Sequence, residues 1–157
     1  MAEAGKPSVL FVCLGNICRS PLAEGAFREA ARTRGLDIEI DSAGTGEWHV
    51  GDPPDDRAIA QGHKVGIDIS GLRARQVEEA DFTRFTHIYA LDAQNLANLR
   101  QLAPDNSTAE IALLLDAVPG WEGKPVFDPY EGGASVFEKT WHIVKTAADA
   151  LADRFAA

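Results

Sequence analysis

The sequence predicts a doubly wound α/β domain, a short parallel sheet of four strands covered by helices on both faces. Three observations carry this. Apolar runs of strand length alternate with helix-period segments in the order β-α-β-α-β-α-β. No internal repeat, low-complexity tract or linker interrupts the 157 residues, so 1–157 read as one domain, large enough to bury a core without disulfide or metal staples. Finally, the first strand runs into a short loop and the loop into a helix, the place where such folds bind ligands, beyond the carboxyl ends of the strands.

The elements follow in order. Ser8 to Val12 is β-branched and aromatic, as a buried strand should be. Ser20-Pro21 reads as the start of the first helix, with serine at the N-cap and proline in the first turn; Leu22, Ala26, Phe27 and Ala30 mark its apolar face, and it fades near Arg34-Gly35. Ile38 to Ala43 is a second strand. Gly44 to Pro54 is a glycine- and proline-rich loop with Trp48 and His49 at its centre, followed by a polar helix over about Asp55 to Val65. Arg73-Ala74-Arg75-Gln76 reads as a solvated basic turn before Phe82. Thr86 to Leu91 is a third strand, Asp92 the N-cap of a helix carrying Leu96 and Leu99, and Glu110 to Leu115 a fourth strand. In the last helix Phe137, Thr140, Trp141, Val144, Ala148 and Leu151 recur every three or four residues, which assigns them to the core.

Composition narrows the function. Fifteen basic against twenty-four acidic side chains give a formal charge of −9, which argues against nucleic acid or an anionic membrane as partner. An anionic small ligand is still allowed, because exposed charges are screened beyond about 8 Å while a pocket acts at contact distance. The two cysteines and four dispersed histidines (His49, His63, His87, His142) have no paired-ligand spacing, so no metal is expected. Met1 to Pro7 is polar without an apolar signal core, and the longest aliphatic run, Ile111 to Leu115, is too short to span a membrane. A cytosolic protein with reduced thiols is expected.

The chemistry concentrates in Cys13-Leu14-Gly15-Asn16-Ile17-Cys18-Arg19-Ser20. A loop curled before a helix N-terminus turns backbone N–H groups and the positive end of the helix dipole toward one point, which suits phosphate. Arg19 adds a planar fork able to take two phosphoryl oxygens at once. The same field favours thiolate at Cys13, and the Ser20 hydroxyl can donate to its sulfur. Alone, Cys-x5-Arg-Ser is a weak motif; strand, glycine, asparagine, arginine and helix start falling in register around it make it specific. Asn16 has the side chain best suited to a strained turn. Trp48 either packs on the domain's own surface or walls the pocket for an aromatic ring, and its place on a loop favours the wall. Asp128-Pro129, in the long loop Trp121 to Gly133, has two readings that the residues alone leave equal: ordinary turn chemistry, or an acid that protonates a leaving oxygen.

Val12-Cys13-Leu14-Gly15-Asn16-Ile17-Cys18-Arg19-Ser20-Pro21 resembles the phosphate loop of the low-molecular-weight protein tyrosine phosphatases, and Asp128-Pro129-Tyr130 resembles their second motif. The resemblance implies a flavodoxin-like three-layer sandwich with strand order 2-1-3-4. It implies hydrolysis of a phosphotyrosine protein or small aryl phosphate through a phosphocysteine on Cys13. Arg19 and the loop from Leu14 to Cys18 with Ser20 then hold the phosphate, Asp128 is the general acid, and Trp48 and Tyr130 wall the pocket. It further implies no cofactor, a monomer, and inorganic phosphate as product inhibitor. Cys18 is implied as a redox partner that forms a reversible disulfide with Cys13. Asn16, Ser20 and Ser42 match a family hydrogen-bond network that ordinarily includes a histidine before Ala-Arg-Gln. This chain has Leu72 there, so another group must brace the loop, or brace it less firmly.

Three rival readings compete with this one. A thioredoxin-coupled arsenate reductase shares the first loop but needs further cysteines, and none follows Cys18. A protein arginine phosphatase of the same superfamily typically carries threonine where this chain has Ile17, whose aliphatic side chain suits a flat ring. A non-catalytic phosphate-recognition module would not require both Cys13 and Asp128.

Overall fold

A computed structural model of the chain describes residues 6–157, so the first five residues of the polar leader lie outside the described part. Strand β1 (Ser8–Cys13) is completely buried, which explains why it reads as a continuous apolar run. Its side chains alternate between two cores. Val9, Phe11 and Cys13 face helix α1 (Arg19–Thr33) and the C-terminal helix α5 (Ala134–Ala156), with Phe11 edge-on to Phe27 at 5.6 Å between ring centroids. Leu10 and Val12 face the opposite side, toward Phe82 and Phe85 near the short helix α3 (Asp81–Arg84) and Leu99 of α4 (Ala93–Leu102). Burial of each large apolar side chain stabilises the fold by about 1.5–3 kcal/mol.

The sheet is completed by β2 (Glu39–Gly44), β3 (His87–Ala90) and β4 (Glu110–Leu113), all parallel, in the order β2-β1-β3-β4. The expected strand order is therefore present. Because the chain winds from β1 to β2 on one side and then crosses to β3 on the other, the carboxyl end of β1 opens a crevice at the switch point. Helix α2 (Asp56–Lys64) packs against α5 on the α1 side and is capped by the Asp55 carboxylate, which accepts from the Arg57 N–H. Asp92 caps α4 as expected. The α5 face from Phe137 to Leu151 is core throughout.

Three expectations are corrected, and one short helix is added. Ser20 is not the N-cap of α1: the helix begins two residues earlier than expected, Cys18 occupies the cap without a side-chain bond, and the Ser20 hydroxyl is directed elsewhere. The fourth strand ends at Leu113, and Leu114–Ala117 tightens into a 3-10 turn that continues the apolar run without the ladder. Helix α3 carries no sequence periodicity because it is a single turn. The basic turn is solvated at Arg73 and Gln76, but Arg75 reaches inward to Asp41 and Asp81.

Candidate active site

Strand β1 ends at Cys13, and the chain must reverse before α1, so the intervening residues form a tight arch. Asn16 takes φ +59°, a left-handed conformation that asparagine tolerates better than most residues. The arch leans on the end of β2, where the Thr45 and Gly46 N–H groups donate to the Cys13 and Leu14 carbonyls at 2.9 Å each. Gly44 permits this approach, since a Cβ there would lie 2.8 Å from the Leu14 carbonyl oxygen.

The buried Asn16 side chain organises the interior of the arch. Its Oδ1 accepts from the Arg75 N–H at 3.0 Å, which fixes the amide's orientation; Nδ2 then donates to Ser20 Oγ at 2.8 Å and Ser42 Oγ at 3.0 Å. Each hydroxyl, having accepted, passes its own proton on. Ser42 donates to Glu24 Oε1 at 2.6 Å, and Ser20 Oγ pairs with Cys13 Sγ at 3.0 Å, donating to it when the sulfur is a thiolate. The Asn16 N–H also donates to Cys13 Sγ, at 3.3 Å. Two donors therefore converge on the sulfur.

Glu24 is the buried end of this relay. Burial pushes its carboxyl above the usual range against the downward pull of Ser42 and Arg28, and Arg28 grips the second oxygen at 2.8 Å while also donating to the Ile40 carbonyl. This is the brace that the missing histidine leaves open; Leu72 instead packs against the α1-side core. Sequence reading missed Glu24 and Arg28 in this role, although their spacing of four on a helix was available as a clue.

Arg19 is 3 % exposed and stretches beneath the arch. Its Nη1 donates to Asp92 Oδ2 at 2.7 Å and the Val126 carbonyl at 3.0 Å, and its Nη2 lies 3.7 Å from Asp128. Burial opposes the guanidinium charge, but Cys13, Asp92 and Asp128 outweigh it and hold the group firmly cationic. Asp92 thus has a second role beyond capping, one its local sequence could not reveal. Burial pushes the Cys18 thiol far up, with Asp55, Cys13 and Asp128 adding to the effect, so Cys18 stays protonated.

Above this floor lies a cavity of about 210 Å³ lined by Cys13, Leu14, Gly15, Ile17, Cys18, Arg19, Trp48, His49, Asp128 and Tyr130. The Trp48 ring lies over Gly46, where a Cβ would clash with it, and Trp48 also lines the cavity with most of its surface exposed. Tyr130 stands half-exposed on the other wall. Asn16 and Ser20 do not line the cavity; they are buried behind it and hold the sulfur and arch. His49 is an additional lining residue, its Nδ1 3.3 Å from Asp52. Among the described residues no group of three or more metal-ligating side chains is assembled.

Residues 8–157 match the family described as low molecular weight phosphotyrosine protein phosphatase. The chain is 45 % identical over 146 residues to the low molecular weight protein-tyrosine-phosphatase YfkJ of Bacillus subtilis, covering 92 % of each chain. The crystal structure of YfkJ superposes with a TM-score of 0.87, covering 95 % of this chain and 94 % of that one. A Drosophila arginine phosphatase superposes with a TM-score of 0.89 at 30 % identity, covering 95 % of this chain and 98 % of that one.

Proposed function

Because the chain belongs to the low-molecular-weight phosphotyrosine protein phosphatase family, and is accordingly a cysteine-dependent phosphatase, we propose that Cys13 is its nucleophile, Arg19 its phosphate clamp and Asp128 its general acid. The observation that carries this assignment is a sulfur receiving two hydrogen bonds at the floor of a cavity whose wall holds a carboxylate 3.7 Å from the clamp.

The chemistry follows from those positions. Cys13 thiolate attacks phosphorus in line, forming an S–P bond as the bond to the aryl oxygen breaks; Asp128 gives its proton to that oxygen. Arg19 and the N–H groups of Leu14 to Cys18 hold the equatorial oxygens as charge redistributes. Water, losing a proton to the Asp128 carboxylate, then attacks phosphorus, the S–P bond breaks, and phosphate leaves with the thiolate restored. Ser20 stabilises the sulfur as leaving group in this second step. The same cradle accepts the product, so inorganic phosphate competes with substrate. A monomer in the cytosol, in which peroxide oxidises the Cys13 thiolate to a sulfenic acid and is itself reduced, and the Cys18 thiol then condenses with that sulfenic acid to form a disulfide and water, completes the reading.

Phosphotyrosine is favoured over phosphoarginine because Ile17, Trp48 and Tyr130 offer apolar faces to a flat ring. The structural likeness to an arginine phosphatase makes that the reading to test against. Steady-state kinetics on matched phosphotyrosine, phosphoserine and phosphoarginine peptides should give the highest kcat/KM for phosphotyrosine. A phosphoarginine value equal or higher would overturn the substrate class.

A further inference from the structure

The acid loop hangs between two anchors. At its start the Val126 N–H donates to the Leu91 carbonyl at 2.7 Å, and the Val126 carbonyl accepts from Arg19. At its end stands Arg57 of α2, a residue that nothing in the chemistry above uses. Its Nη1 donates to the Gly132 carbonyl at 2.7 Å, and its guanidinium lies 5.4 Å from the centre of the Tyr130 ring and 4.6 Å from that of Phe137. Among the described residues, this is the hydrogen bond that ties 127–132 to an element outside the loop and α5.

Arg57 is itself fixed. Its Nε and Nη2 each reach Asp55 at 2.9 Å, a planar two-point pair that a lysine could not make. Asp55 in turn donates its N–H to the Ile17 carbonyl of the phosphate arch at 2.8 Å. A continuous path therefore runs from the arch through Asp55 and Arg57 to Gly132. Within the loop, the Gly132 N–H donates to the Pro129 carbonyl and the Tyr130 N–H to Asp128 Oδ1 at 3.1 Å, so the position of Gly132 is passed to the acid.

We infer that Arg57 is a positioning residue for proton transfer: with Asp55 it sets the distance between the phosphate arch and the Asp128 carboxyl, and its stacking sets the Tyr130 wall. The inference rests on Asp128 being the general acid. A misplacement of about 1 Å in a reacting group can cost on the order of 10²-fold, so releasing one of two anchors should cost about tenfold where the acid matters and little where it does not.

The test is kcat/KM, which reports the first displacement, for Arg57→Met, Arg57→Lys and Asp128→Asn across aryl phosphates with graded leaving-group pKa. Arg57→Met should lose about tenfold on phenyl-type leaving groups and less than about twofold on strongly acidic ones. Arg57→Lys, able to reach Gly132 but not to pair with Asp55 at two points, should fall between. Partial unfolding lowers all substrates by one factor and leaves the slope unchanged, so the slope reads positioning alone. In Asp128→Asn, adding Arg57→Met should cost less than about twofold, because the group it positions is gone. A uniform loss, no loss, or an undiminished loss in the double variant would overturn the inference while leaving Asp128 as the acid. A flat response of Asp128→Asn to leaving group would instead remove the acid assignment, and this inference with it.

Discussion

The two loops that meet over the cavity are built in opposite ways. In the phosphate arch Asn16, Arg19 and Ser20 are buried: Asn16 is held by Ser42 of β2 and the turn at Arg75, Arg19 by the Asp92 cap of α4, and Ser20 by Asn16 and Cys13. In the acid loop Phe127, Asp128 and Tyr130 are exposed, and support comes at the two ends. The contrast follows from what each must do. An anion cradle works through dipoles already aligned before the substrate arrives, and any freedom in them is paid back as reorganisation. An acid must exchange its proton with water in every cycle and meet leaving groups of different shape, so it stays in contact with solvent.

Substitutions on the two loops should therefore fail differently. The largest effect is expected for Cys13→Ser, whose turnover should fall to background while phosphate binding, measured by calorimetry, persists through Arg19 and the arch; appreciable turnover would exclude the covalent route. Next, Asp128→Asn should slow phosphotyrosine hydrolysis by about 10² to 10⁴, and progressively less as the leaving group becomes acidic. Glu24→Gln removes the carboxylate beneath Ser42 and leaves Arg28 short of a partner, so it should lower stability by about 1–3 kcal/mol in denaturant titrations. Its loss of kcat/KM should be the same for every leaving group, the opposite signature to Asp128. If Glu24→Gln were selective for poor leaving groups, the division between bracing and acid catalysis would collapse.

The smallest change in turnover is expected for Cys18→Ser, which nevertheless has two readouts. Because burial holds the folded Cys18 thiol protonated, the unfolded chain loses that proton first as pH rises past about 8.5. The unfolded state then binds fewer protons than the folded one, and stability falls with pH by up to about 1.4 kcal/mol per unit. Serine removes that slope, so the variant should resist alkali better than the parent. After peroxide treatment and reductant the same variant should recover poorly, since nothing traps the Cys13 sulfenic acid; recovery equal to the parent's would end the redox role.

Much of this was legible in the chain. The continuous β-branched and aromatic run of Ser8 to Val12, the three-to-four spacing in α5 and the Asp92 cap are local signals, and local signals survive without a structure. The arch was legible for the same reason, its chemistry lying within eight consecutive residues. What stayed hidden is non-local pairing of charge. Arg57 lies 75 positions from Gly132 and Arg75 lies 34 from Asp41, and a long cationic side chain looks the same in sequence whether it reaches water or a buried carboxylate. Ser20 was misplaced because a serine before a proline at a helix start has a strong local role, and the cysteine sulfur took its hydroxyl first.

Asp92 joins two equilibria that would otherwise be separate. One oxygen accepts from the Asn95 N–H to close the first turn of α4, and the other accepts from Arg19. Fraying of that turn withdraws the carboxylate from the phosphate clamp, and an anion that fixes Arg19 discourages fraying by the same free energy. The Asn95 amide, which does not line the cavity, thus becomes a reporter of its occupancy: its exchange with solvent deuterium slows as phosphate fills a site on the other side of the guanidinium.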